Sequence, residues 1–395
     1  MFIKITRDIV EAAIIGDELA LNLLRDMDFA CHHGKHLFLG DRETLVLIKE
    51  RFADTYQALA KLFANISTLG AIVNFLRWHV EFALDKDVSF VKEEDGKHVI
   101  VISKNDISLF QTFNECHLLV ENLEDVHMYQ HVLDFYKRDK NIVHTFNNYY
   151  SVLGGGSTTA IVLKHEMESR HFLILCIVDS DKTYSKAQIK RTAQKVQEIY
   201  DMCPYKYNAC LYVLKDVMEV ENLVPIDIYE EFCTPIEGDG SKKEIHSHFQ
   251  LIKSIKEKDE GYLDFFDFKI GLQSSHLVDE SPQNTNRNII ESIAAQLNNP
   301  VSPNSEKYKK ILEILSAKEL ALSPQDQEKL VNKCMSSETY VPGLGKDILR
   351  KVLESCSVSL NNITKEHLSE TQYKIYEEIG NMMYCWTCAV EPQRL

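Results

Sequence analysis

The chain lacks any apolar run long enough to span a membrane, and its first ten residues, MFIKITRDIV, lack the sustained apolar core of a signal peptide. A cytoplasmic location is therefore expected. It also lacks an excess of basic residues, since 44 lysines and arginines stand against 59 aspartates and glutamates, for a formal net charge of -15. This balance excludes a protein that coats nucleic acid by bulk charge, so any polyanion must be met by a local basic patch or through metal ions.

Cysteines and histidines at metal-binding spacing are scarce as well. The ten cysteines are scattered along the chain, which favours reduced thiols over a disulfide framework. The one close pair, Cys385 and Cys388 in YCWTC, has no second pair or nearby histidine at the spacing of a zinc site. His32, His33 and His36 fall in the polar segment HHGKH, where they either bind a metal or are simply solvated.

Strand and helix patterns alternate from Cys116 onward. The strand-like segments CHLLVEN, NIVHTFNNYYSVL, FLILCIVD and NACLYVL are separated by the helical segments DVHMYQHVLDFY, TAIVLKHEMESR and SKAQIKRTAQKVQEIYDM. This alternation predicts an α/β domain over residues 113–275, with a parallel, Rossmann-like sheet covered by helices on both faces. Helical spacing of apolar residues predicts a mainly helical N-terminal domain over 1–112 and a helical C-terminal region over 286–395.

Acidic residues end two of the predicted strands. Glu121 ends the first, and Asp179 and Asp181 end the buried strand in LILCIVDSDK. Because side chains alternate along a strand, both aspartates point to one side and Ser180 to the other. Ligands of open parallel sheets bind at the carboxyl ends of the strands, where paired carboxylates suit Mg²⁺ or Mn²⁺. The alternative is a pair of solvated loop acids or helix N-cap residues ahead of SKAQIKR.

The acidic motifs resemble those of a known domain. LLVENLEDVHMY has Glu121 at the end of a strand and Asp125 at the start of a helix, and Asp179 of IVDSDK lies 58 residues after Glu121. This arrangement resembles the Toprim domain, the catalytic core shared by type IA and type II topoisomerases, bacterial primases and a group of nucleases. The turn GGGSTT resembles the glycine-containing loop that many of those nucleases place after the second strand. Asn122 departs from the family, which often has glycine there.

Downstream segments narrow the resemblance to nucleases of the overcoming-lysogenisation-defect (OLD) type. LKDVMEVENLVP resembles their acidic element, with Glu221 as the better match and Glu219 as its neighbour. YLDFFDFKIGL offers Lys269 for the downstream lysine that those nucleases use. OLD-type proteins usually carry an ATPase ahead of the Toprim domain, but the phosphate-binding pattern GxxxxGK[ST] does not occur in this sequence. The resemblance therefore implies a stand-alone nuclease, or one partner of a separately encoded sensor or ATPase.

The resemblance implies a Mg²⁺- or Mn²⁺-dependent endonuclease, a hydrolase that cleaves phosphodiester bonds of DNA or RNA, tRNA included, as an effector of bacterial anti-phage defence. Two metal ions held by carboxylates would neutralise the charge that develops during cleavage. The first ion is expected on Glu121, Asp179 and Asp181. The second ion is expected on Asp125 with Glu219 or Glu221. Lys269 or Lys182 would stabilise the pentacovalent phosphate or the leaving group.

The segment after IVDSDK provides a local basic patch. Five basic residues, which we call the basic strip, occur there without an intervening acid: Lys182, Lys186, Lys190, Arg191 and Lys195. On the predicted helix they lie opposite an apolar stripe, which favours contact with a nucleic-acid backbone. The alternative is a solvated helix face.

Other function classes stay open. A Toprim-like fold without catalysis would serve as a binding or sensor subunit of a multi-protein defence complex, although the intact acidic set weighs against it. A topoisomerase needs a catalytic tyrosine in a separate gate domain and usually a longer chain. A primase needs zinc-binding and helicase-docking parts that are not evident in the sequence. The predicted helical flanks suit surfaces for a partner or for a homo-oligomer.

Overall fold

The computed structural model describes residues 1–109, 113–142, 145–235, 242–256, 261–273, 339–389 and 391. The chain forms two compact units. The first unit contains Met1–Val178, Gln194–Tyr212 and Tyr376–Leu395. The second unit contains Asp179–Ala193 and Val213–Ile375. Among the described residues, no helix is both long and apolar enough to cross a membrane. The α/β class predicted from the sequence is confirmed, with one mixed and one parallel sheet.

The N-terminal part of the first unit is built on a five-stranded sheet of order β2-β1-β3-β5-β4. Its strands are β1 Phe2–Ile5, β2 Leu37–Gly40, β3 Trp78–Ala83, β4 Phe90–Glu94 and β5 Lys97–Ser103. Strand β4 is antiparallel to β5, and the other pairs are parallel. The helices of this part are α1 Arg7–Ile14, α2 Glu18–His32, α3 Arg42–Phe52, α4 Gln57–Lys61, α5 Ile66–Val73 and α6 Lys104–Ile107.

This sheet is the main departure from the predicted, mainly helical N-terminal domain. The prediction follows the long helices, whose starts carry clear caps: Asp17 accepts a hydrogen bond from the amide of Ala20, and Asp41 one from Thr44. Strands β1 and β2 have only 4 residues each, and β2 is buried throughout. A short, fully buried strand shows no alternation of apolar and polar residues, so it cannot be recognised from the periodicity of the sequence.

The parallel sheet has the order β10-β9-β6-β8. Its strands are β6 Cys116–Val120, β8 Tyr149–Leu153, β9 Ile174–Asp179 and β10 Ala209–Leu214. Helices α7 Leu123–Asp139, α8 Thr159–Ser169 and α9 Arg191–Met202 alternate with these strands along the chain. Strand β6 pairs in parallel with both β8 and β9. Every strand predicted from Cys116 onward is confirmed, although α9 begins later than the sequence predicts.

The strand order reverses between β6 and β9, because β8 lies beyond β6 and β10 lies beyond β9. Ligands of open parallel sheets bind at such a reversal. Strand β6 is buried over its whole length, and β9 is buried up to Val178. The two apolar runs that end at an acid therefore correspond to strands in the interior of the sheet.

The second unit consists of short elements. Its helices and strands are α10 Ile226–Cys233, α11 Lys243–Lys256, β11 Gly271–Gln273, β12 Thr339–Pro342, α12 Ile348–Ser355, α13 Ser357–Asn361 and the first turns of α14 Glu370–Thr387. Tyr229 of α10 stacks on Phe268 with ring centroids 4.6 Å apart. In the first unit, the last strand β13 Cys388–Ala389 pairs with β7 Phe146–Asn147. Residues 286–338 of the predicted helical C-terminal region lie outside the described residues.

Candidate active site

The turn after β9 carries the two predicted aspartates, Asp179 and Asp181. Ser180 between them is fully buried, and its Oγ donates a hydrogen bond to the carbonyl oxygen of Val217 at 2.7 Å. The amide of Asp181 donates to the carbonyl oxygen of Met218 at 2.9 Å, and its φ of 52° lies in the left-handed region. Aspartate tolerates this conformation better than most residues. The turn is therefore fixed by its backbone, with the serine inward and the aspartates half-buried.

The predicted acidic element forms a tight turn in the second unit. A 3-10 helix spans Val220–Leu223, and Glu219 and Glu221 are only 6% and 3% exposed. The Asn222 side chain accepts a hydrogen bond from the amide of Glu219 and donates to the carbonyl oxygens of Leu263 and Phe266. Asn222 thus ties the acidic turn to the segment that leads to Lys269.

Lys269 bridges the two glutamates. Its Nζ lies 2.8 Å from Oε2 of Glu219 and 3.0 Å from Oε1 of Glu221. The sequence predicts all three residues for the site, and the structure brings these three together. Fifty positions separate Lys269 from Glu219 in the chain, so the tertiary fold alone creates this contact.

The backbone of Lys269 is held from two sides. Its amide donates to Oδ1 of Asp267 at 2.9 Å, and its carbonyl oxygen accepts from the amide of Gly345 at 3.0 Å. A Cβ on Gly343 would lie 2.6 Å from the carbonyl carbon and oxygen of Lys269, so glycine is required for this close approach. The position from which the lysine side chain starts is therefore fixed.

One ammonium serves two buried carboxylates in this arrangement. Burial, together with the repulsion of Glu221, raises the pKa of Glu219 to about 8, and burial raises the pKa of Glu221 as well, while Lys269 opposes both shifts. Burial lowers the pKa of Lys269, but Glu221 and Glu219 outweigh it and bring this pKa above its ordinary value. The lysine is therefore held in its charged form, and burial favours a proton on the glutamate pair, which titrates as one unit.

Asp181 belongs to the same electrostatic environment. Burial raises the pKa of Asp181, Lys190 and Lys269 oppose this shift, and Asp267 adds to it. Because such interactions fall off with distance, these groups lie near one another. We call the following residues, all in the second unit, the acidic cluster: Asp181, Glu219, Glu221, Asp267 and Lys269.

The acidic cluster has unused acceptors. Oε1 of Glu219 and Oε2 of Glu221 are buried and have no hydrogen-bond partner among the described residues. Buried carboxylate oxygens of this kind suit a proton or a cation, and the first such cation is Lys269. Across the described ranges, no three or more His, Cys, Asp or Glu side chains are grouped so that they could hold a metal ion by themselves.

Glu121 and Asp125 lie in the first unit, around the end of β6. The amides of Gly154 and Gly155 donate to the carbonyl oxygens of Val120 and Glu121 at 2.7 and 2.9 Å, so the GGGSTT turn is bound to this strand end. Oδ2 of Asp125 accepts from the amide of Asn122 at 2.8 Å in the capping box of α7. Asn122 is the N-cap residue at φ −136°, which explains why no glycine is needed there. A role of Glu121 and Asp125 as metal ligands stays a prediction.

The basic strip does not form the predicted helix face. Helix α9 begins only at Arg191, because the preceding loop is tied back by a hydrogen bond from the amide of Lys190 to the carbonyl oxygen of Ser180. Lys182 is 8% exposed, and its Nζ donates to the carbonyl oxygens of Ser185 and Lys215, so its assignment to a nucleic-acid surface is corrected. The remaining four residues are exposed: Lys186, Lys190, Arg191 and Lys195.

The histidines and cysteines singled out in the sequence lie elsewhere in the first unit. His36 is buried, and burial holds its pKa well below the ordinary value. Cys385 and Cys388 are both fully buried, and burial raises the pKa of the Cys385 thiol to about 12 and that of Cys388 above its ordinary value. Both thiols are therefore protonated at neutral pH.

Comparison with known proteins gives no match: no family model, no curated protein and no solved structure is significantly similar to this chain. The resemblance to Toprim nucleases thus depends on the quoted motifs. Sequence reasoning also missed two residues of the site, Asn222 and Asp267. Their only sequence signals are their positions beside Glu221 and Lys269, in ENLVP and DFK.

Proposed function

We propose that this protein is a metal-dependent nuclease with a Toprim-like catalytic domain, which hydrolyses phosphodiester bonds of DNA or RNA. The observation that carries the proposal is the acidic cluster. Three motif residues from distant parts of the chain, Glu219, Glu221 and Lys269, meet in one buried group that also acts on Asp181. Buried carboxylates with perturbed pKa values are typical of active sites more than of ordinary ion pairs.

Each group of the site has a role in such a reaction. Asp179 and Asp181 would hold Mg²⁺ or Mn²⁺, which supplies Lewis-acid stabilisation of charge on the phosphate. Lys269 places a positive charge near Asp181, where it would stabilise negative charge on the phosphate oxygens. Glu219, whose pKa is raised by burial, would hold a proton that the leaving oxygen could accept.

The exposed part of the basic strip supports binding of the substrate. Lys186, Lys190 and Arg191 follow the Asp179–Asp181 turn within the same unit and are exposed to solvent. Positive side chains next to an acidic site attract the nucleic-acid backbone, which the net charge of -15 would otherwise repel. A role as effector of bacterial anti-phage defence, with a separately encoded sensor or ATPase as partner, follows from the OLD-type motifs.

A second candidate function is a catalytically silent binding or sensor subunit. This alternative is favoured by the position of Lys269, whose ammonium bridges the two glutamates that were predicted to bind a metal ion. The ammonium neutralises one of their charges and so reduces their attraction for a metal ion. Under this alternative, the protein binds nucleic acid or a partner but does not cleave.

Incubation of the full chain with supercoiled plasmid and with total tRNA, in Mg²⁺ or Mn²⁺, separates the two candidates. Asp181→Asn is expected to abolish cleavage. Asp216→Asn is the matched control, because Asp216 is an exposed aspartate paired with Lys374 and is expected to leave cleavage intact. Binding without cleavage of either substrate, together with no heat of Mn²⁺ binding, contradicts the nuclease proposal. Cleavage that survives Asp181→Asn contradicts the site.

A further inference from the structure

We propose that Lys269 takes the place of a second metal ion, so that the chain binds one divalent ion, at Asp179 and Asp181, and uses the lysine ammonium as its second cation. This inference rests on the proposed nuclease function and deepens it. The sequence predicts two metal ions, whereas this inference assigns one metal ion and the ammonium of Lys269.

The geometry of the bridge carries the inference. The Lys269 ammonium lies 2.8 Å from one oxygen of Glu219 and 3.0 Å from one oxygen of Glu221. A metal ion shared by these two carboxylates would occupy the space between them, which the Nζ atom already fills. The glutamates are 6% and 3% exposed, so they cannot turn outward to bind an ion at the surface.

Electrostatics work against an ion beside the ammonium. A divalent cation bound to Glu219 and Glu221 would lie in contact with the Lys269 ammonium, and the two cations would repel each other where water screens poorly. Asp267 and Gly345 hold the backbone of the lysine, so its side chain starts from a fixed position beside the glutamates. A second ion at the glutamates therefore requires the loss of the ammonium.

Each glutamate has a second carboxylate oxygen that does not contact Lys269. Oε1 of Glu219 and Oε2 of Glu221 are buried and lack hydrogen-bond partners among the described residues. Each glutamate thus has one oxygen on Lys269 and one oxygen left over. Removal of the ammonium would leave four carboxylate oxygens in one pocket, which is a donor set that suits Mg²⁺ or Mn²⁺.

Calorimetric and electron paramagnetic resonance titrations of the full chain with Mn²⁺, without nucleic acid, count the ions directly. One ion per chain is expected for the native protein, and this ion should be lost in the Asp179→Asn/Asp181→Asn variant. Lys269→Met, which keeps the length and loses the charge, is expected to bind two. Lys253→Met is the matched control, because Lys253 pairs with a single carboxylate, Glu230, outside the acidic cluster, and it should bind one.

A second variant keeps the test decisive if Lys269→Met does not fold. Glu219→Gln/Glu221→Gln should still bind one ion if the lysine replaces the second metal, and should lose an ion if the glutamates are ligands. Two ions in the native chain, or one ion in folded Lys269→Met, overturns the inference but leaves the nuclease proposal intact. No ion in the native chain contradicts the nuclease proposal itself.

Discussion

Glu81 in β3 and Glu219 in the acidic cluster both lie against a lysine ammonium, yet their pKa values move in opposite directions. Glu81 is 2.6 Å from Nζ of Lys4 and 3.7 Å from Nζ of Lys92, and it accepts from His79. The hydrogen bond from His79, with the help of Lys4 and against burial, lowers the pKa of Glu81 to about 2. Burial and Glu221 raise the pKa of Glu219 to about 8.

The two sites differ in the balance of positive and negative charges and in the exposure of the carboxylates to solvent. Glu81 is one carboxylate among several cationic or donor groups at the edge of the solvent, so its charge is fully compensated. Glu219 and Glu221 are two buried carboxylates that share one ammonium, so one negative charge is left over. The first arrangement is complete as a structural ion pair. The second lacks one positive charge, which a proton shared by the two carboxylates can supply.

The largest effect is expected from Lys269→Met. It leaves two buried carboxylates without a cation and should cost about 3 kcal/mol of the free energy of unfolding, as measured by urea denaturation at pH 8. Lys4→Met, the equivalent change beside Glu81, should cost about 1 kcal/mol or less, because Lys4 is half-exposed. Equal losses in the two variants would remove the contrast between the clusters.

Asn222→Ala should cost about 2 kcal/mol, because it leaves the carbonyl oxygen of Phe266 without its side-chain donor and the amide of Glu219 without its side-chain acceptor, both in buried positions. Since these bonds tie the acidic turn to the segment before Lys269, cleavage should fall along with stability. The control is Asn362→Ala, whose side chain bonds only to the carbonyl oxygen of Val358 on an exposed helix end and should change stability by about 0.5 kcal/mol or less. Thermal melts compare the two variants, and equal losses would show that Asn222 has no special role.

The raised pKa of Glu219 predicts a pH dependence of stability with a definite sign. A carboxyl whose pKa is about 8 in the folded chain holds more protons when folded, so stability falls as pH rises from its ordinary pKa to about 8. Glu219→Gln should remove this fall and become more stable relative to the native chain as the pH increases. Melting temperatures from pH 5 to pH 9 in a chelator provide the measurement, and parallel curves for the two proteins would contradict it.

The lowered pKa of Glu81 predicts the opposite trend. Its stabilisation is present above the ordinary glutamate pKa and is lost as pH falls toward the folded-state pKa of about 2. Glu81→Gln should therefore destabilise the chain at neutral pH and progressively less in acid. If the loss does not shrink as the pH falls, the ion pair is not the source of the stabilisation.

The smallest effect is expected on nucleic-acid binding. Lys186→Ala should weaken binding of tRNA or DNA and reduce the salt slope of the binding constant by about 1. Lys164→Ala on α8 is the matched control, an exposed lysine paired with Glu168, and should leave both quantities unchanged. Fluorescence anisotropy at several salt concentrations measures both, and identical slopes for all three proteins would remove Lys186 from the interface.

Much of the parallel sheet could be predicted because its central strands are apolar runs that end at an acid. Strands β6 and β9 are examples, each buried over five residues before Glu121 or Asp179. The burial of Lys182 could not be predicted, since one of its acceptors, the carbonyl oxygen of Lys215, lies 33 residues away. The late start of α9 likewise depends on a tertiary hydrogen bond to Ser180.

Some residues of the candidate site could be predicted from the sequence, but Asn222, Asp267 and the contacts within the site could not. The motifs ENLVP and DFK indicate Glu221 and Lys269, but residue types cannot show that the lysine bridges two carboxylates. Asp125 has the pattern of a ligand in the sequence, and in the structure one of its oxygens also accepts a hydrogen bond from the amide of Asn122. In each case, the partner of the side chain is set by a contact between distant segments or by a hydrogen bond to the local backbone.

Crystals of the full chain soaked in Mn²⁺ would test the central claim most directly through anomalous scattering. The account predicts one Mn²⁺ peak, within coordination distance of Asp179 and Asp181, and the Lys269 ammonium still between Glu219 and Glu221. A peak between the two glutamates, or no peak at the aspartates, would contradict it.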